Sequence, residues 1–272
     1  MSPILIQIGA LKIYGYPFFM FLGFLIWTEC SIFYLRNKGL NKNQIISLAF
    51  LSMISGLFGG RIMSILQNSN NKISDLAGFY RFWEAGLVVY GAIILSLICL
   101  VLYIKIKRLP LLKILDCFFL FFPLAMAIGR IGCYCQGCCY GIITDSSIGI
   151  RFPKLYSIKY GIIGSDAFIE HLNKGIIRYS DMLSLPVYPT QIISSISLLI
   201  IFLVLFLIKN KIETQGILMS LSILLYSLFR FFIEFIRSEP RYYFNFTLAQ
   251  YISIIFICLS LIMIKCSKAQ GQ

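Results

Sequence analysis

Long apolar runs broken by short polar connections organise this chain. They cover about 17–36, 45–67, 84–104, 111–132, 188–208, 215–237 and 246–265, each close to the roughly 20 residues that a helix needs to cross a hydrocarbon core. The pattern predicts an all-α integral membrane protein of seven transmembrane helices, one polytopic domain over 1–272.

The connections predict its orientation. Arg36, Lys38 and Lys42 lie in the first, Lys105, Lys107, Arg108 and Lys113 in the third, Lys209 and Lys211 in the fifth, and Lys265 and Lys268 in the tail. The alternate connections mix signs, Lys72 and Arg81 with Asp75, then Glu239 with Arg241. Basic residues gather on the cytoplasmic side, so the N-terminus is expected outside and the C-terminus in the cytoplasm, which requires an odd number of spans. Residues 133–187 are too polar to span and too long for a plain connection. They are expected to form an extracytoplasmic insertion between the fourth and fifth spans. The first residues, with a lysine only at Lys12, do not read as a cleaved signal peptide.

Composition strengthens this picture. Apolar residues make up 59% and charged residues 13%, against about 25% charged in soluble domains. The net charge of +13 would suggest nucleic acid in a soluble protein. Here much of the excess sits in short loops, so no nucleic-acid partner is expected.

Ionisable residues inside apolar runs are costly, by about 2.5–3.5 kcal/mol each on insertion scales, and mark function by default. Three places qualify. LYSLFRFFIEFIRSEP carries Arg230, Glu234 and Arg237 on one helical stripe. Either they lock helices together, or the two arginines around one carboxylate leave positive charge for an anionic group such as phosphate. FPLAMAIGRIGCYCQGCCYG sets Arg130 between Gly129 and Gly132, with Asp116 earlier in the same run. GLFGGRI places Arg61 in the second run, where Gly56 and Gly60 could form a helix-packing face. Arg61 could snorkel, or pair with Asp116 or Glu234. Converging arginines would make an electropositive cavity for a phospholipid headgroup.

Of nine cysteines, Cys30, Cys99, Cys117 and Cys258 stand singly in apolar runs as small hydrophobes. Cys133, Cys135, Cys138 and Cys139 cluster at the predicted outer boundary. This spacing lacks the paired C-x2-C or histidine partners of a zinc site, so no metal is expected. A disulfide is the leading reading, ahead of a thiol activated by Arg130. The single histidine, His171, reads as a solvated loop residue.

Several motifs then stand in an order that resembles the prolipoprotein diacylglyceryl transferase family. They are IYGYPFFMFLGF (13–24), GGRI (59–62), GLVVYGAI (86–93), the Asp116-to-Arg130 interval with GRIG, YPTQ (188–191), YSLFRFFIEFIR (226–237) and TLAQYIS (247–253). The likeness covers almost the whole chain. It implies a seven-helix enzyme of the bacterial cytoplasmic (inner) membrane that moves the diacylglyceryl group of phosphatidylglycerol onto the lipobox cysteine thiol in a prolipoprotein signal peptide, releasing glycerol phosphate. No cofactor is implied, and a monomer is expected. By motif position, catalysis would fall to Arg130, Arg230, Tyr16 and Tyr90. Phosphatidylglycerol would meet Arg130, Arg61, Glu234, Arg237, Gly141, Tyr188 and Gln191. Cys133, Cys138 and Cys139 have no role assigned by the likeness.

The chain departs from the family pattern where it commonly reads GRIGNF followed by Asn and Glu. Here Cys133 and Gln136 replace the two asparagines and Cys138 the glutamate, and Tyr90 and Tyr188 stand for histidines. The GC..GCCYG run with a tyrosine in the third-span motif resembles a divergent branch of the family. Three other functions compete: the same scaffold acting on another headgroup or acceptor, a membrane thiol oxidoreductase, and an anion transporter. The oxidoreductase leaves Arg230, Glu234 and Arg237 unexplained, and the transporter would bring broken-helix repeats that the sequence lacks.

Overall fold

The computed structural model describes residues 4–8, 11–68, 89–154, 156–157, 161–162 and 165–270. Helices carry the architecture: α1 (Gly15–Arg36), α2 (Lys42–Asn68), α3 (Val89–Ile106), α4 (Leu111–Gln136), α5 (Asp166–Asn173), α6 (Thr190–Ile208), α7 (Ile217–Ile233) and α8 (Leu248–Gln270). Two short antiparallel pairs flank them, β1 (Ile4–Ile8) with β2 (Leu11–Tyr14) and β3 (Tyr156–Ser157) with β4 (Gly161–Ile162). Among the described residues, six helices are long and apolar enough to cross a membrane: α1, α2, α4, α6, α7 and α8. The chain is a multi-pass membrane protein. The third predicted run begins on residues outside those described, and its described part is the 18-residue α3.

The residues fall into two compact units, 28–114 and 1–27 with 115–272. In the first of these, α2 and α3 touch backbone to backbone. A Cβ added to Gly59 would stand 2.3 Å from Gly91 O, so both positions must lack a side chain. The packing face runs through Gly59, and a Cβ on Gly56 would stand in ordinary contact with Ala92 and Ser96. This unit also holds Arg61, buried, and Tyr90, 39% exposed.

The larger unit is organised around α4. Trp27 Nε1 donates to Phe118 O at 3.0 Å, and its ring lies 4.4 Å from that of Phe118. Pro123 stands inside α4. Lacking an N–H, it leaves the carbonyl four residues earlier without its helical donor. That carbonyl belongs to Phe119, and Ser222 Oγ of α7 donates to it at 2.7 Å. Neighbouring helices satisfy freed backbone groups in this way where no water can. Ser195 Oγ of α6 donates to Ala127 O at 2.8 Å, adding a second bond onto α4.

In its second turn α4 presents Asp116, which is 7% exposed. Its carboxylate accepts from Gly216 N at 2.6 Å and Met219 N at 2.8 Å. These amides belong to the N-terminus of α7, where backbone donors are orphaned and a negative charge is favoured.

Among the described residues of 137–187, Tyr140, Phe152, Ala167 and Val187 form a small core of their own. The Ser165 hydroxyl caps α5 by accepting from Phe168 N. His171 is not a solvated loop residue. It lies in α5 at 3% exposure, and its Nδ1 accepts from Leu185 N at 3.2 Å. The amphipathic face of this short helix turns the ring inward, which a reading of the polar neighbours alone does not foresee.

Candidate active site

The polar site is built where α4 and α7 end and α6 begins, all within the larger unit. α4 delivers Arg130 and Cys133 in its last turns. It stops at Gly137, whose φ is +76° and whose Cβ, if present, would meet Ser165 Cβ at 2.5 Å. Glycine alone allows the chain to reverse here. The reversal folds Cys138 and Cys139 back on Cys133, so the three Sγ atoms lie within 4.8 Å of one another. Cys139 itself has φ +59°, an uncommon conformation for a residue with a Cβ.

The first turn of α6 holds that reversal in place. Thr190 Oγ1 donates to Cys139 O at 2.6 Å, and Gln191 Nε2 donates to Cys138 O at 2.7 Å. Tyr188 N donates to Ile142 O and Gly141 N to Tyr188 O, at 3.1 and 3.0 Å. A Cβ on Gly141 would stand 2.6 Å from that of Tyr188, which is why only glycine fits. Ile142 N then donates to Ile236 O at 2.9 Å, tying the segment to the turn after α7.

From that side come Arg230, Glu234 and Arg237. Arg230 Nη2 lies 3.1 Å from Glu234 Oε2, and Arg237 Nη1 lies 3.9 Å from the same oxygen. Arg237 Nη2 also donates to Glu239 Oε1 at 2.8 Å. Sequence reasoning misses this second carboxylate. Glu239 matches the second arginine, so the surplus positive charge is Arg130, which lies within electrostatic range of Arg230. Burial raises the Glu239 carboxyl above its ordinary range, against the pull of Arg237.

Among the described residues, four buried side-chain atoms lack a hydrogen-bond partner: Arg130 Nε, Arg237 Nε, Gln191 Oε1 and the ion-paired Glu234 Oε2. All four belong to this site. Each such atom costs about 1–3 kcal/mol unless something bonds to it. Arg130 and Gln191 line one cleft with Ile131, Tyr134 and Ser195. Two unsatisfied guanidinium donors and an amide acceptor suit a ligand with an anionic group beside a hydroxyl.

Tyr16 joins from the first turn of α1, 40% exposed. A Cβ on Gly132 would stand 3.1 Å from Tyr16 O, and the phenol is within electrostatic range of Arg130 and the cysteine trio. Beyond the helix, hydrogen bonds from Cys133 and Cys138, with the charges of Arg237 and Arg130, hold the Cys139 thiol well below the usual range. Cys138 is pushed up by its hydrogen bonds with Cys133 and Cys139 and by burial.

The structure thus brings together Tyr16, Arg130, Gly141, Tyr188, Gln191, Arg230, Glu234, Arg237 and the three cysteines. Arg61 and Tyr90 belong to the other unit. The expected disulfide is not formed, and all nine cysteines are free thiols. The spacing rule that argued against a metal does not anticipate the convergence of the three thiols, which depends on the turn at Gly137. Thr190 is likewise missed, although its place beside Gln191 at a helix start is a signal in principle.

Comparison with known proteins fits this geometry. The family model for prolipoprotein diacylglyceryl transferase matches residues 3–266. Phosphatidylglycerol–prolipoprotein diacylglyceryl transferase 2 of Clostridium perfringens is 32% identical over 273 residues, covering 100% of this chain and 98% of the relative. The phosphatidylglycerol–prolipoprotein diacylglyceryl transferase of Clostridium tetani is 31% identical, with 100% of each chain covered. That of Thermotoga maritima is 28% identical, over 95% of this chain and 82% of its own. With a full-length family match and a buried arginine site at its centre, this chain belongs to the prolipoprotein diacylglyceryl transferase family.

Proposed function

We propose that this protein transfers the diacylglyceryl group of phosphatidylglycerol to the cysteine thiol of a prolipoprotein lipobox, releasing glycerol phosphate. The observation that carries the reading is the set of buried, unsatisfied atoms on Arg130, Arg237 and Gln191. A phosphodiester with a glycerol hydroxyl offers acceptors to both guanidiniums and a donor to the amide. The reaction is substitution at a glyceryl carbon. The carbon–sulfur bond forms as the carbon–oxygen bond to phosphate breaks, and the phosphate oxygen leaves with the electron pair. Arginines fixed in a dry cavity stabilise that departing charge without reorganising.

The same reading takes α3 as the third of seven spans. It sets the N-terminus and residues 133–187 outside a bacterial cytoplasmic membrane and the C-terminus inside, in line with the basic connections. By the family likeness alone, Arg61 would bind phosphatidylglycerol and Tyr90 would take part in catalysis, and one chain is the working unit.

Reconstitution with phosphatidylglycerol and a lipobox peptide tests this directly. Mass spectrometry should show the peptide gaining one diacylglyceryl group, and a peptide with serine in place of its cysteine should gain nothing. Folded protein that binds phosphatidylglycerol yet leaves the cysteine peptide unmodified would refute the reading.

A further inference from the structure

The cysteine trio is left over from the phosphate chemistry, although it sits beside it. Resting on the function proposed above, we infer that Cys133, Cys138 and Cys139 form a three-thiolate site for a zinc-class divalent metal ion, whose fourth position takes the acceptor cysteine's sulfur. The geometry comes first. The three Sγ atoms lie within 4.8 Å of one another. Bound to one ion at about 2.3 Å each, tetrahedral thiolates would stand about 3.8 Å apart, so a rotamer adjustment closes the gap.

The backbone is held for this placement. Cys139 keeps its positive φ because Thr190 and Gln191 bond the carbonyls of Cys139 and Cys138. Strain fixed from outside the strained segment is a mark of function. The trio is not wholly enclosed. Cys133 is 9% exposed, whereas Cys138 and Cys139 are half-buried. Closed structural zinc sites have four protein ligands, and catalytic ones have three with an open position. Among the described residues, no histidine or carboxylate joins the three sulfurs.

Charge agrees. Three thiolates around a dication carry one net negative charge, which a low-dielectric site accepts only beside cations. Arg130 and Arg237 are both within electrostatic range of Cys139.

The reaction needs what such a site supplies. The acceptor thiol must lose its proton to attack, and the chain has one histidine, whose Nδ1 accepts from Leu185 N inside the small core. Glu234 and Glu239 are paired with arginines. A thiol that coordinates zinc is deprotonated outright. The acceptor S–H would release its proton to solvent on binding, and the bound thiolate would attack the glyceryl carbon. The carbon–oxygen bond breaks and glycerol phosphate leaves with the electron pair toward Arg130 and Arg237. The metal keeps its oxidation state throughout, and the neutral thioether product, a weak ligand, departs.

The test uses full-length protein in detergent with reduced thiols, titrated with Zn²⁺ or Co²⁺ alone. About one ion per chain should bind. Cys133→Ser, Cys138→Ser and Cys139→Ser should each lose it, while Cys258→Ser and Cys266→Ser bind as the parent does. The cobalt form should show thiolate-to-metal absorption that grows with the lipobox peptide and not with its serine analogue. Chelation should slow transfer on the order of 100-fold, and Zn²⁺ should restore it. Folded parent protein that takes up no metal, or metal-free protein that transfers at the full rate, overturns the site and leaves the transferase reading standing. Protein whose cobalt spectrum answers to the peptide but which transfers nothing from phosphatidylglycerol supports the site and overturns that reading.

Discussion

α4 places a buried charge near each of its ends, and the two are treated differently. Asp116, at the start, has both carboxylate oxygens occupied by amides of the α7 N-terminus. Arg130, near the end, keeps an Nε with no partner, and Gln191 and Arg237 beside it are left in the same condition. Both ends hold polar groups where lipid makes them costly. Where donors and acceptors match, the group is part of the scaffold. Where they do not, the unsatisfied atoms are the ones that the proposed function gives to the substrate.

Breaking each end should therefore give opposite results. Arg130→Ala should lower transfer by roughly 10²–10³-fold, the scale of removing one fixed donor from a developing charge. It should not lower the thermal midpoint in detergent, since a buried, partly unsatisfied cation is removed. A fall in stability matching that of an Asp116 variant would abolish the distinction. Asp116→Ala should cost about 3 kcal/mol of stability, because two amides lose a charged acceptor. The rate per folded molecule should stay near that of the parent, measured well below the unfolding midpoint.

The difference between the two ends also explains how much of the molecule was legible in its sequence. Apolar length fixed six spans to within a few residues, because lipid forces every backbone group into a helix and the run length follows from bilayer thickness. The stripe Arg230, Glu234 and Arg237 was legible from helical spacing. Asp116 was noticed but not its role, since a helix cap supplied across about a hundred residues leaves no local pattern. Ser222 filling the gap made by Pro123 is invisible for the same reason. Glu239 lay beyond the predicted span and was read as a loop charge. The thiol cluster needed the turn at Gly137, where the chain leaves helical periodicity, and His171 needed the packing of a small domain.

His171 offers the finest comparison, a titratable group beside the small core of Tyr140, Phe152, Ala167 and Val187 rather than in a long apolar helix. Burial holds its imidazole below the ordinary range, outweighing the neighbouring Glu170 carboxylate. The bond from Leu185 N to Nδ1 also exists only in the neutral ring. As pH falls through about 6.5, the unfolded chain takes up a proton that the folded one refuses, so stability is full above that pH and declines below it. The effect should be the smallest here, a gentle drop in thermal midpoint between pH 7 and 5.5. His171→Gln, whose Oε1 can still accept from Leu185, should remove it. Burial raises the carboxyls of Asp166 and Glu239, which drives stability the other way on acidification, while the lowered carboxyl of Glu170 titrates below this window. All three are present in both proteins, so the difference between the two pH profiles belongs to His171. Profiles that superimpose would mean the ring is protonated equally in the folded and unfolded chains, and that the Leu185 bond is dispensable.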